Sequence, residues 1–214
     1  MHIAEGILPG STLVAGALLA AAGTVIGLRK MDDERTIHVA VLSSALFVAS
    51  LIHVPVGPAP VHLVLNGLAG LLLGWAIFPA YLTALVLQSV FFGYGGITSL
   101  GVNTIVMATP GLLCYMLFGR ALSGATPRGA FAIGALSGAI AILCGCALLC
   151  GALLTSGQSF SVAAAVVFAG HIPVAVIEAV VTGSVLSFLL RVRPETFQRT
   201  HATAFAADRL PESA

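Results

Sequence analysis

Apolar runs of about eighteen residues recur through this chain, and a run of that length crosses a hydrocarbon core roughly 30 Å thick as a helix. They fall near residues 8–28, 37–54, 61–75, 78–92, 100–119, 130–154 and 162–190. Little is left for a soluble fold: 58% of the residues are hydrophobic, 8% are charged and mean hydropathy is +1.07, far from soluble-domain composition. The expected fold is an all-α membrane protein, a bundle of about seven transmembrane helices over residues 1–193, followed by a soluble tail, 194–214. The third and fourth runs are short and meet at Ile77-Phe78-Pro79, so a broken helix or a tight hairpin would also fit.

Lys and Arg near span ends are retained on the cytoplasmic side. Arg29, Lys30 and Arg35 follow the first run, Arg120 and Arg128 the fifth, and Arg191, Arg193, Arg199 and Arg209 the seventh. Seven spans put all nine on one side, with the N-terminus outside and the C-terminus in the cytoplasm. Six or eight would mix them. Nothing at the start resembles a cleaved leader, because no basic region precedes the first run.

On this map six acids, Asp32, Asp33, Glu34, Glu195, Asp208 and Glu212, share solvated inner segments with the basic residues. Glu5 belongs to the outer N-terminal segment. Glu178 lies inside the last span, where an ionisable group is costly and marks function by default. His201 and His38 lie on the inner side, whereas His2, His53, His62 and His171 all map to the outer half. His53 and His62 flank a loop of prolines and glycine that cannot be helical. His171 is followed by Pro173, which is expected to kink the helix and free a carbonyl near the imidazole. At helical spacing His62 shares a face with Asn66, and His171 with Glu178. Gln88 and Asn103 add uncharged hydrogen-bonding groups near the outer end; joining helices would be their ordinary role.

The first two residues, Met1-His2, have chemistry of their own. A free terminal amine, the His2 amide nitrogen and its imidazole can close adjoining chelate rings around one late d-block divalent ion, provided the amide loses its proton. Three nitrogens occupy a tetragonal or square plane, and one corner stays open. Cys114, Cys144, Cys146 and Cys150 all lie in apolar spans, imply no disulfide framework and form at best a weak thiolate site. Small residues spaced by four, such as Gly70 with Gly74 and Gly134 with Gly138, allow close helix approach. The small-residue faces of the first and sixth spans are candidates for docking a partner. There is no P-loop, no His-Glu-x-x-His and no nucleophile with a paired base, so the sequence carries no evident ATPase or protease chemistry.

Met1-His2-Ile3-Ala4-Glu5-Gly6, Val61-His62-Leu63, Gln88 to Phe92 with Gly95-Gly96-Ile97-Thr98-Ser99-Leu100-Gly101-Val102-Asn103, and Gly170-His171-Ile172-Pro173 through Glu178 resemble the CbiM/NikM family over nearly the whole chain. The resemblance implies the substrate-capturing S component of an energy-coupling factor transporter for cobalt or nickel. It implies a seven-helix bundle with its N-terminal segment tucked into the outer face, in a bacterial or archaeal cell (inner) membrane. It also implies the ligand set: the terminal amine of Met1, the amide and imidazole nitrogens of His2, and His62 early in the third helix. Glu5, His53, Asn66, Asn103 and His171 are the candidates to orient or hydrogen-bond these ligands.

No cofactor is implied, because Ni²⁺ or Co²⁺ is the cargo, and nucleic acid is not a partner. The partners implied are a transmembrane coupling (T) component, ATP-binding cassette ATPases and a small accessory membrane subunit. Two departures stand out: Gly57-Pro58-Ala59-Pro60 replaces a hydroxyl-rich run, and Val106 replaces a second asparagine. Both bear on metal preference. The rival reading is an intramembrane enzyme or proton relay using His171 and Glu178.

Overall fold

The computed structural model describes residues 2–56, 59–157 and 161–193, with the backbone alone at 33–35, 53–56 and 59–61. Met1 and the tail 194–214 lie outside the described residues. Helices α1 (Gly10–Arg29) and α2 (Asp33–Ala49) lead into a short hairpin, β1 (His53–Val56) and β2 (Ala59–His62). Then come α3 (Asn66–Leu73), a 3₁₀ turn at Gly74–Ala76, α4 (Ile77–Phe92), α5 (Leu100–Leu122), α6 (Pro127–Leu154) and α7 (Ser161–Val192).

Among the described residues, α1, α5, α6, α7 and the stretch Asn66–Phe92 are long and apolar enough to cross a membrane, and Thr36–Ala49 is a shorter apolar helix. The chain is a helical multi-pass membrane protein. Large apolar side chains such as Val14, Val90, Val162 and Phe188 point out of the bundle, as a lipid-facing surface requires.

Length alone would make Asn66–Phe92 one rod, but the geometry shows that it is folded. The Tyr81 hydroxyl donates to the Val64 carbonyl at 2.7 Å; along a straight helix 17 residues would separate them by roughly 25 Å at 1.5 Å per residue. The reversal occurs at Gly74, whose φ of 56° and ψ of −127° no helix interior adopts. So α3 descends from mid-bundle and α4 returns, which is the hairpin alternative for the third and fourth runs.

Two sequence expectations need correction here. His62 ends β2, and helix starts only at Asn66, so His62 and Asn66 share no helical face. The cause is Leu65, which sits in the left-handed region at φ 59° and breaks the backbone between strand and helix. That conformation costs a non-glycine residue roughly 1–2 kcal/mol. The glycines of the small-residue faces of α1 and α6 are also internal rather than free for docking. A Cβ on Gly16 would collide with Val102, one on Gly23 with Phe78 and one on Gly27 with Pro79. On α6, Gly134 abuts Gly183, and Gly138 abuts the Glu178 backbone. Close approach to α4, α5 and α7 occupies these glycines.

The bundle has a distinct N-terminal end. Ile3 is tied to Asn103 at the start of α5, and the Ile7 carbonyl accepts from Ser156 just past α6 at 2.8 Å. Arg29, Arg120, Arg128 and Arg191 sit at the opposite helix ends from these ties. The basic residues of the bundle are thus remote from the N-terminal segment.

Candidate metal site

Residues 2–9 lie across one end of the bundle and are held there by side chains of α4, α5 and the loop between them. The Ile3 N–H donates to Asn103 Oδ1 at 2.9 Å, and the Ile3 carbonyl accepts from Asn103 Nδ2 at 3.0 Å and Ser99 Oγ at 2.8 Å. A single asparagine thereby reads both polar groups of one residue, and the Ile3 side chain is buried. Glu5 accepts the Thr98 N–H at 3.1 Å, fastening the segment to the same loop. That loop reaches close to the segment because Gly95, at φ 78°, carries no Cβ: one there would press on the Asn103 amide and approach the His2 ring.

His2 and His62 meet in this arrangement. Nδ1 of His2 is 3.2 Å from Nε2 of His62, with ring centroids 4.9 Å apart. The far side of each ring shows which nitrogens carry hydrogen. His2 Nε2 lies 2.6 Å from Gln88 Oε1, and His62 Nδ1 lies 2.9 Å from the Leu63 carbonyl. Both partners are oxygens that only accept, so Nε2 of His2 and Nδ1 of His62 are the protonated positions. Two lone pairs then face each other across the gap, an arrangement that a shared cation relieves. Burial lowers the His2 pKa from 6.5 to about 4, against the opposing pull of the Gln88 hydrogen bond. The ring is therefore neutral near pH 7, the form that ligates metal.

The other sequence candidates separate cleanly. Asn103, Glu5 and Gln88 hold the N-terminal segment, and Gln88 does so through His2 itself. Asn66 faces elsewhere: its Nδ2 donates to the Ala141 carbonyl at 3.2 Å and its Oδ1 accepts its own helix's Gly67 N–H at 3.0 Å. His53 is the register partner of His62 in the hairpin, with its backbone alone described. His171 donates from Nδ1 to the Val167 carbonyl at 2.7 Å, one turn back in an α7 that runs unbroken through Pro173. Glu178 is fully buried and accepts the amides of Val64 and Leu65. Both residues of the rival reading are thus engaged with backbone.

Among the described residues no three His, Cys, Asp or Glu side chains converge on a metal position. The four cysteines are free thiols. Sequence reasoning missed Tyr94, whose ring lies 6.0 Å from that of His2, and Ser99 and Tyr81. Ser99 lies in one of the family-like stretches without being singled out there, and nothing in the local sequence of Tyr94 or Tyr81 distinguishes them from packing residues.

The profile described as the cobalt uptake substrate-specific transmembrane region, CbiM, matches residues 2–196. A putative metal transport protein of Haemophilus influenzae is 42% identical over 94% of this chain and 98% of its own length. The fused nickel transport protein NikMN of Rhodobacter capsulatus is 36% identical over 52% of this chain and 34% of its own length. In architecture, the crystal structure of a truncated transition metal transporter superposes with a TM-score of 0.69 over 90% of this chain and 99% of that one, at 24% identity.

Proposed function

The chain belongs to the CbiM family of cobalt and nickel transport components, and on that premise we propose that it captures Ni²⁺ or Co²⁺ from outside the cell through its own N-terminus. In this reading the Met1 amine, the His2 amide nitrogen and Nδ1 of His2 form three corners of a plane, and Nε2 of His62 supplies the fourth. The observation that carries it is the 3.2 Å approach of those two ring nitrogens, with the other nitrogen of each ring set against an oxygen. Asn103, Ser99 and Glu5 pin the backbone on which the claw is built, and Gln88 selects the tautomer that turns Nδ1 inward.

A four-nitrogen plane favours late divalent metals by geometry and excludes Mg²⁺ and Ca²⁺, which take oxygen ligands. With the basic helix ends on the cytoplasmic side, as Lys and Arg near span ends favour, the site would lie on the outer face. Residues 1–193 are then the capture domain in a bacterial or archaeal cell membrane, and 194–214 a cytoplasmic tail. Import requires reorientation of the loaded bundle by a coupling membrane protein and ATPases; the natural fusion in the nickel relative supports membrane partners. Protonation of the chelating nitrogens would release the metal.

Isothermal titration of the purified protein with NiCl₂ and CoCl₂ tests the reading. Wild type is expected to bind one ion, His2→Ala to lose it, and His62→Ala to bind it more weakly with water in the fourth corner. Unchanged binding in both variants would refute the site.

A further inference from the structure

One peptide plane lies between His62 and a carboxylate more than a hundred residues away in sequence. The Leu63–Val64 peptide presents its carbonyl to Nδ1–H of His62 at 2.9 Å and its N–H to Oε1 of Glu178. In a trans peptide these two groups point in opposite directions, so imidazole, peptide and carboxylate form a single hydrogen-bonded chain. The next N–H, that of Leu65, is shared by both Glu178 oxygens at 2.9 and 3.0 Å. The N-cap residue of α3, Leu65, makes no side-chain cap hydrogen bond; Glu178 of α7 instead binds the two amides that lead into the helix, those of Val64 and Leu65. Tyr81 holds the Val64 carbonyl at 2.7 Å from the opposite helix.

We propose that Glu178 is a positioning residue for the metal-binding imidazole of His62, acting through the Leu63–Val64 peptide. This deepens the metal-capture reading and rests on it. Its geometric effect is to hold Leu65 in the left-handed region, which fixes where the strand ends and which way His62 faces. Its electronic effect follows from hydrogen bonds in series: a peptide whose N–H binds an anion has a more basic carbonyl, which draws harder on Nδ1–H and makes Nε2 a stronger donor. Carboxylates that contact a ligating histidine directly act in the same sense. Here a peptide is interposed, so the charge stays buried while its influence reaches the outer end of the bundle.

The test uses full-length protein in detergent and NiCl₂, read by titration and by the d–d absorption of bound Ni²⁺. Wild type should show the spectrum of a square-planar four-nitrogen site, and His62→Ala the longer-wavelength band expected when an imidazole gives way to water. Glu178→Gln should bind about 10- to 100-fold more weakly, with its band displaced toward that of His62→Ala. In the His62→Ala background, adding Glu178→Gln should cost nothing further, since the residue it acts through is gone. A wild-type spectrum and affinity in Glu178→Gln would overturn the proposal, and so would an equal loss in both backgrounds. Should Glu178→Gln fail to fold, Glu178→Asp, which keeps the charge but withdraws it by one methylene, is read against the same outcomes. Failure of wild type to bind nickel would instead refute the capture reading itself.

Discussion

Two histidines meet at the candidate site, and the structure holds them in opposite ways. His2 rides on an end segment fastened at one end of the bundle through Gln88, Asn103, Ser99 and its own Glu5. His62 rides on a turn anchored from within, by a fully buried carboxylate and a buried tyrosine. The first mounting consists of neutral or surface hydrogen bonds, each worth about 1 kcal/mol net. The second lies in the low-dielectric interior, where a broken hydrogen bond strands its groups away from water at a cost of about 1–3 kcal/mol. One donor is therefore releasable and the other is fixed. In the proposed capture reading, release would fall to the N-terminal segment.

The sharpest way to break this contrast is to block the claw while sparing the turn. Extending the chain before Met1, or acetylating its amine, removes one donor and hinders the rest. Nickel affinity measured by titration should fall by at least about a thousandfold, roughly 4 kcal/mol, with the fold unchanged by circular dichroism. Gln88→Leu keeps the bulk but frees the His2 tautomer, and about a 10- to 100-fold loss is expected in the same assay. Asn103→Ala leaves the Ile3 N–H without its partner, a cost of roughly 1–3 kcal/mol. About a tenfold weaker affinity should result, with faster nickel dissociation in stopped-flow.

A smaller effect separates the two mountings by pH. The docked His2 has its pKa depressed to about 4, below the 6.5 it has when undocked. The undocked state therefore binds more protons between these values. Docking is fully stable above pH 6.5 and is lost progressively as pH falls toward 4, at about 1.4 kcal/mol per unit of depression. Hydrogen exchange of the metal-free protein should show the Ile3 amide losing protection across that window. The Val64 and Leu65 amides should stay protected, because burial under α7 rather than His2 holds them.

This contrast also separates what the residues disclose from what only folding supplies. Apolar runs placed the helices, and the family-like stretches singled out His2, His62 and Asn103, because those signals are local. The hairpin hides from such reading: Val61-His62-Leu63 looks like the start of a helix until Leu65 turns left-handed under Glu178. An acid inside a span signals function by default, yet its partners here are amides 113 and 114 residues away. No spacing rule reaches that far. Small-residue faces mislead for a similar reason, since Gly16 or Gly134 would look the same whether it met a partner protein or, as here, a neighbouring helix.

The central claim is that the chain's beginning and His62 ligate one ion together. X-ray absorption at the nickel edge of the loaded protein tests it most directly. The account predicts a short four-nitrogen shell with the scattering of two imidazoles, one of which disappears in His62→Ala. An oxygen-rich six-coordinate shell that is the same in wild type and His62→Ala would contradict it.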